Sequence, residues 1–177
     1  MISNFELYKR LFTALIAVLQ PFIIYFSCGD LISLSQSWYT PLQPLFIFTN
    51  ALVSYFFFDL PHWRIPAVFL LLLTVFSVED YGMVHNILAV GFFISCIFPL
   101  WSIKRFRLYI PVYLLSTIFL RFDGLYWMET WAIIVLCFYH VHVMLYTKSL
   151  HTRNHPDSLW YYFGFTNCER TTFMCGL

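Results

Sequence analysis

The chain has 177 residues, of which 60% are hydrophobic and only 11% are charged. This composition excludes a disordered chain and a water-soluble enzyme, because neither tolerates so much apolar surface with so little charge. The net charge is +1 and the ten cationic residues are dispersed along the sequence. We therefore expect no nucleic acid among the partners, since a phosphate-binding surface needs a basic stripe.

Six apolar runs follow one another, each separated from the next by a short polar segment. A membrane-spanning helix needs about 20 residues, so the runs leave no room for a soluble domain. Short connections also force neighbouring helices to run in opposite directions. The sequence predicts an all-α membrane protein, a six-helix transmembrane antiparallel bundle over residues 1–146 with a short aromatic tail over 147–177. The runs cover 11–28, 41–58, 65–78, 84–101, 108–120 and 125–146.

The cationic residues divide unequally between the two sides of this bundle. If the N-terminus is cytoplasmic, Arg121 alone falls outside, and a bias of this kind orients membrane proteins with their basic loops inside. Both termini are then predicted to be cytoplasmic in an integral, multi-pass membrane protein. The acidic residues Asp30, Glu79, Asp80, Asp123 and Glu129 gather outside and predict an acidic outer mouth. The inner cations are Lys9, Arg10, Arg64, Lys104, Arg105, Arg107, Lys148, Arg153 and Arg170.

Two of the runs, 65–78 and 108–120, are too short for a bilayer. At 1.5 Å per residue they extend roughly 20 Å against a hydrocarbon core of about 30 Å, so polar groups must lie at membrane depth. A charge at that depth is costly unless it is paired or hydrated. We therefore expect an outer water-filled depression, or a buried ion pair between Arg121 and Glu129.

The densest polar cluster lies between the third and fourth runs. A serine, two carboxylates and a histidine within nine residues could bind zinc or supply a general acid and base. Alternatively, the same residues could form a turn and cap the next helix. The cluster consists of Ser77, Glu79, Asp80, His85 and Asn86.

Two further features lie near the inner end. His140 and His142 are two residues apart, so a regular helix points them in different directions and they cannot chelate one metal. Both are expected to reach the membrane interface with their polar ring atoms. The aromatic segment 158–165 predicts an interfacial position for the tail, or a contact surface for a protein partner over residues 158–177.

Three stretches resemble small bacterial membrane proteins of the DUF998 and Frag1/DRAM-like kind. They are SLSQSWYT at 33–40, the segment 85–93 that begins with His85-Asn86, and WMETWA at 127–132. The resemblance implies a bacterial inner (plasma) membrane location. It also implies that the loop carrying Ser35 and Tyr39 faces the same outer cavity as His85 and Glu129.

These proteins resemble, more distantly, the CREST membrane hydrolases, which hold zinc with a Ser-x3-His pair, an Asp and a His-x3-His pair. The chain departs from that pattern, because its last helix carries His140-x-His142.

The sequence thus predicts a protein without cofactor. Its outer cavity is expected to bind a membrane lipid or a small cationic molecule, or else the chain acts as an accessory membrane protein. One alternative is a metal-dependent, membrane-embedded lipid hydrolase, with His85 and Glu79 or Asp80 as zinc ligands and Glu129 as the base. Another is a small subunit of a membrane complex. The predicted cavity residues are Ser35, Tyr39, Ser77, Glu79, Asp80, His85, Asn86, Arg121 and Glu129.

Overall fold

The computed structural model describes residues 4–29, 31–122 and 124–152, and within these ranges every regular element is helical. Four short 3₁₀ helices lie in the connections, of which Leu34–Tyr39 is the longest. The α-helices are α1 (Asn4–Cys28), α2 (Gln43–Phe58), α3 (Arg64–Leu73), α4 (Val78–Ser95), α5 (Ile97–Ser102), α6 (Tyr109–Leu114), α7 (Phe119–Phe122) and α8 (Gly124–Thr152).

Three of the helical stretches are long and apolar enough to cross a membrane, namely Phe5–Cys28, Val78–Ser102 and Gly124–Lys148. Three other apolar stretches, in α2, α3 and the α6–α7 region, are shorter. Large apolar side chains cover the outside of the long helices, as lipid-facing surfaces require. The predicted all-α class is therefore confirmed for the described residues, and the three long helices have the length and apolar composition of membrane spans.

Helices α2 and α8 both run opposite to α1. Near the start of α1, Arg10 Nη2 lies 3.2 Å from the carboxylate of Asp59, which directly follows α2. Near the end of α1, the hydroxyl of Tyr126 donates to the carbonyl of Pro21. The start of α8 is thus held against the end of α1, and the end of α2 against its start.

The other face of α8 contacts α6. The indole N–H of Trp131 donates to the carbonyl of Val112 at 3.2 Å. The hydroxyl of Tyr113 in α6 donates in turn to the carbonyl of Phe93 in α4, at 3.0 Å. Helix α8 is therefore packed between α1 and α6.

Several elements depart from the predicted runs. Helix α4 begins at Val78, six residues before its run, and is bent at Tyr81, where φ is −132° and ψ is 37°. The fifth run is broken into α6, a 3₁₀ helix over Leu115–Ile118, and α7. Helix α8 continues to Thr152, so the first residues of the predicted tail are helical. Residues 153–177, with the proposed partner surface, and the acidic residues at 30 and 123 lie outside the described residues.

Candidate ligand cavity

A cavity of about 110 Å³ lies between α1, α2, α3, α4 and α8. Most of the side chains that line it are apolar, among them Val53, Phe57, Leu73, Phe92 and Leu136. Because these helices contact one another around it, the cavity lies within the helical bundle. The sequence predicted a depression on the outer face.

Polar groups line the cavity at two ends. Arg10, Thr13 and His140 lie at one end, which we call the Arg10 end. Ser35 and Glu129 lie at the other, the Glu129 end, where the carboxylate reaches the connection that follows α1. Along α8 the lining residues extend from Glu129 to Met144, which is about 22 Å at 1.5 Å per residue. The cavity is therefore elongated along the helix axes.

Three more polar residues, Gln20, Thr49 and Asn50, line the wall between α1 and α2. The contact between Arg10 and Asp59 fixes the register of these two antiparallel helices. Moving ten residues, or about 15 Å, along each helix from that contact brings Gln20 level with Thr49. The three side chains consequently form one polar belt on an otherwise apolar wall.

Glu129 is only 6% exposed, so the structure places it inward, as predicted. Its Oε2 accepts the backbone N–H of Leu34 at 2.7 Å. Leu34 begins the 3₁₀ helix Leu34–Tyr39, and the side chain of the preceding Ser33 makes no cap hydrogen bond. Since the first N–H groups of a helix lack internal partners, Glu129 serves as a cap supplied by a distant helix.

The prediction of an ion pair between Arg121 and Glu129 is wrong. Arg121 is exposed at the end of α7, and among the described residues no ion pair joins it to Glu129. Phe119 of α7 packs near Trp131, with ring centroids 5.8 Å apart. Residues 129 and 131 point about 200° apart on a helix, so Glu129 faces the α1 side while α7 contacts another face of α8.

The cluster after α3 makes the contacts of a helix cap. Ser77 Oγ accepts the backbone N–H of Asp80 at 3.1 Å and donates to its carboxylate at 2.9 Å. His85 is buried, and its Nδ1 lies 2.7 Å from the carbonyl of Phe76. The side chains of Glu79, Asp80 and Asn86 are exposed. In the described parts of the chain, no three His, Cys, Asp or Glu side chains are grouped to hold a metal ion.

Of the nine predicted cavity residues, Ser35 and Glu129 line the cavity. Tyr39 is exposed at the end of the 3₁₀ helix. The remaining predicted residues lie at the α4 hairpin or at the end of α7, as described above. The structure therefore brings together the loop that carries Ser35 and the helix that carries Glu129. The polar residues of the cluster after α3 do not line the cavity.

The two histidines of α8 occupy different environments. The ring of His140 packs against Trp63 and Phe57, with centroids 4.3 and 4.8 Å apart, and its Nε2 is buried. The predicted interfacial position is thus wrong for His140, because α2 and the turn before α3 cover this face of α8. His142 is exposed, and its Nδ1 lies 3.1 Å from the hydroxyl of Tyr109.

The polar belt of Gln20, Thr49 and Asn50 was not predicted from the sequence. Its signal was present, since these residues interrupt the first two apolar runs with uncharged polar groups. Polar side chains inside a membrane helix usually face the bundle interior. The sequence alone does not show which of these residues lie at the same height along the helix axes, because that depends on the register of α1 against α2.

Comparison of the chain with known protein families, curated proteins and solved structures finds no match.

Proposed function

We propose that the chain is a six-span membrane protein of the bacterial inner membrane, with both termini in the cytoplasm, which binds one lipid-like amphiphile in its central cavity. It acts as a binding or accessory protein. The observation that carries the proposal is the elongated apolar cavity with polar groups at both ends. An apolar chain fits the walls, and a polar head fits one end.

The distribution of cations supports this orientation. Lys9 and Arg10 near the start of α1 share one end of the bundle with Arg105, whose guanidinium donates to the hydroxyl of Tyr146 at 3.1 Å. Arg121 lies at the end of α7, just before α8 and close to the opposite end of the bundle. Basic loops remain in the cytoplasm during insertion. The Arg10 end of the cavity is then the inner end, and the Glu129 end is the outer one.

A reporter fused after residue 177 tests this orientation. We expect activity of a cytoplasmic reporter such as green fluorescent protein, and no activity of one that needs the extracytoplasmic side. The same pair of reporters fused in the loop at Gly29 should give the reverse result. Extracytoplasmic activity of the C-terminal fusion would overturn the proposed topology.

The size of the cavity favours a single chain. Its volume of about 110 Å³ is small. It is nevertheless lined along about 22 Å of α8. A narrow, long space of this kind accommodates one extended alkyl chain and has no room for several chains side by side.

Enlarging a cavity-lining side chain tests whether this space is the binding site. Ala17 is buried in α1 and lines the cavity, whereas Leu15 lies two residues earlier and is exposed. We expect dodecanol to raise the melting temperature of the purified wild-type chain and of Leu15→Phe, but not that of Ala17→Phe. Equal shifts in all three proteins would place the bound chain outside the cavity and reject the proposal.

A further inference from the structure

We infer that the Glu129 end of the cavity and the polar belt together form a subsite for a protonated amine. The ligand of the cavity is then a cationic amphiphile with a single alkyl chain. This inference rests on the proposed function and adds the chemistry of the head group. It starts from the unmatched charge and hydrogen-bonding capacity of buried residues at this end of the cavity.

Of the two carboxylate oxygens of Glu129, one accepts a hydrogen bond and the other can accept one from a ligand. Oε2 accepts the N–H of Leu34, and within the described residues Oε1 has no hydrogen bond and no cationic side chain in ion-pair distance. A buried carboxylate is costly without a counter-charge. A ligand that carries a positive charge would supply what the described chain does not.

Arg10 does not fill this role. It lies at the other end of the cavity and is already paired, with Glu6 at 3.4 Å and with Asp59 at 3.2 Å. Because its guanidinium is already paired with carboxylates of the chain, Arg10 does not form an anion subsite that would draw the head group to the Arg10 end. The charge pattern therefore orients a cationic head toward Glu129.

The polar belt lines the same cavity as this carboxylate and supplies further hydrogen-bonding groups. Gln20 and Thr49 are each 1% exposed, and Gln20 Nε2 and Thr49 Oγ1 have no partner among the described residues. An ammonium group has three donors. The side-chain oxygens of the belt can accept two of them, since the orientation of an amide follows its hydrogen bonds. The third donor then remains for Glu129 Oε1.

Ligands with one chain and different head groups separate this inference from its alternatives. We would titrate the full-length chain in an uncharged detergent with dodecylamine, dodecanol and dodecanoate and follow the melting temperature. We expect the amine to bind the wild type at least about tenfold more tightly than the alcohol, which is the scale of one additional ion pair. Dodecanoate should bind more weakly than either.

Glu129→Gln removes the charge but keeps an oxygen that can accept the N–H of Leu34. We expect this variant to lose the preference for amine over alcohol while it still binds dodecanol. Glu79→Gln is the matched control, because Glu79 is exposed and does not line the cavity. It should keep the preference. Should Glu129→Gln fail to fold, Gln20→Leu provides the second measurement, with a preference reduced severalfold.

The outcomes distinguish the inference from the proposed function. Equal binding of amine and alcohol by the wild type, or an amine preference that survives Glu129→Gln, overturns the inference. In that case the proposed function stands if Ala17→Phe still abolishes binding. If no single-chain compound binds in a manner sensitive to Ala17→Phe, both fail together.

Discussion

The contact between Glu129 and Leu34 yields the sharpest stability prediction. Replacing Glu129 by leucine leaves the N–H of Leu34 without an acceptor at the start of its 3₁₀ helix, whereas glutamine retains one. Both variants remove the charge, and the three side chains are similar in size. The difference between the two variants therefore isolates the hydrogen bond from the effect of the charge.

A buried donor that loses its partner costs about 1–3 kcal/mol. We expect Glu129→Leu to be less stable than Glu129→Gln by this amount. The assay is reversible unfolding in mixed micelles, with hydrogen exchange at the Leu34 amide as a local reporter. Exchange should accelerate in the leucine variant and remain slow in the glutamine variant.

A double-mutant cycle with Arg121 completes the test. Because Arg121 is exposed and does not contact Glu129, Arg121→Leu should change the unfolding free energy by the same amount in the wild type and in Glu129→Leu, within about 0.5 kcal/mol. Equal stability of the leucine and glutamine variants at position 129, or a large coupling to Arg121, would refute this account of the site.

Two further substitutions test the packing, each with a control in the same chain. A Cβ at Gly91 would lie 2.7 Å from Cε1 of Phe69, so Gly91→Ala should destabilise the α3–α4 contact by about 1–3 kcal/mol. A Cβ at Gly82 would have nothing within 4 Å, so Gly82→Ala should stabilise α4 by about 0.5–1 kcal/mol. Equal effects of the two substitutions would contradict the close approach of Gly91 to Phe69. Trp63 is 1% exposed, whereas Trp101 is 57% exposed. In unfolding titrations, Trp63→Ala should lower the free energy of unfolding by about 3–5 kcal/mol, and Trp101→Ala by less than about 0.5 kcal/mol.

The helices could be predicted from the sequence because their causes are local. Apolar runs of membrane length, separated by short polar segments, have few alternatives to helices. The run 11–28 ends where α1 ends, at Cys28, and the run 41–58 ends where α2 ends, at Phe58. The breaks in the fifth run were not predicted, since a 3₁₀ segment depends on how the helix packs against its neighbours as well as on the sequence.

The site was predictable only in part, because a cavity depends on the register between helices. Glu129 could be predicted as an inward carboxylate, since a charge in a membrane helix rarely faces lipid. Its partner could not, because the backbone N–H of Leu34 has no signature in the side-chain sequence. Ser77 and His85 looked like a site because they are close in sequence, but their contacts are local ones within the α4 hairpin.

The central claim is that the cavity holds a single-chain amphiphile, and native mass spectrometry of the protein released from its detergent micelle tests it most directly. We expect the wild type and Leu15→Phe to retain one small-molecule adduct that survives purification, and Ala17→Phe to lose it. Release of the adduct and its fragmentation should reveal one alkyl chain. An adduct that persists in Ala17→Phe, or a wild-type protein that carries none after expression in its membrane, would contradict the account.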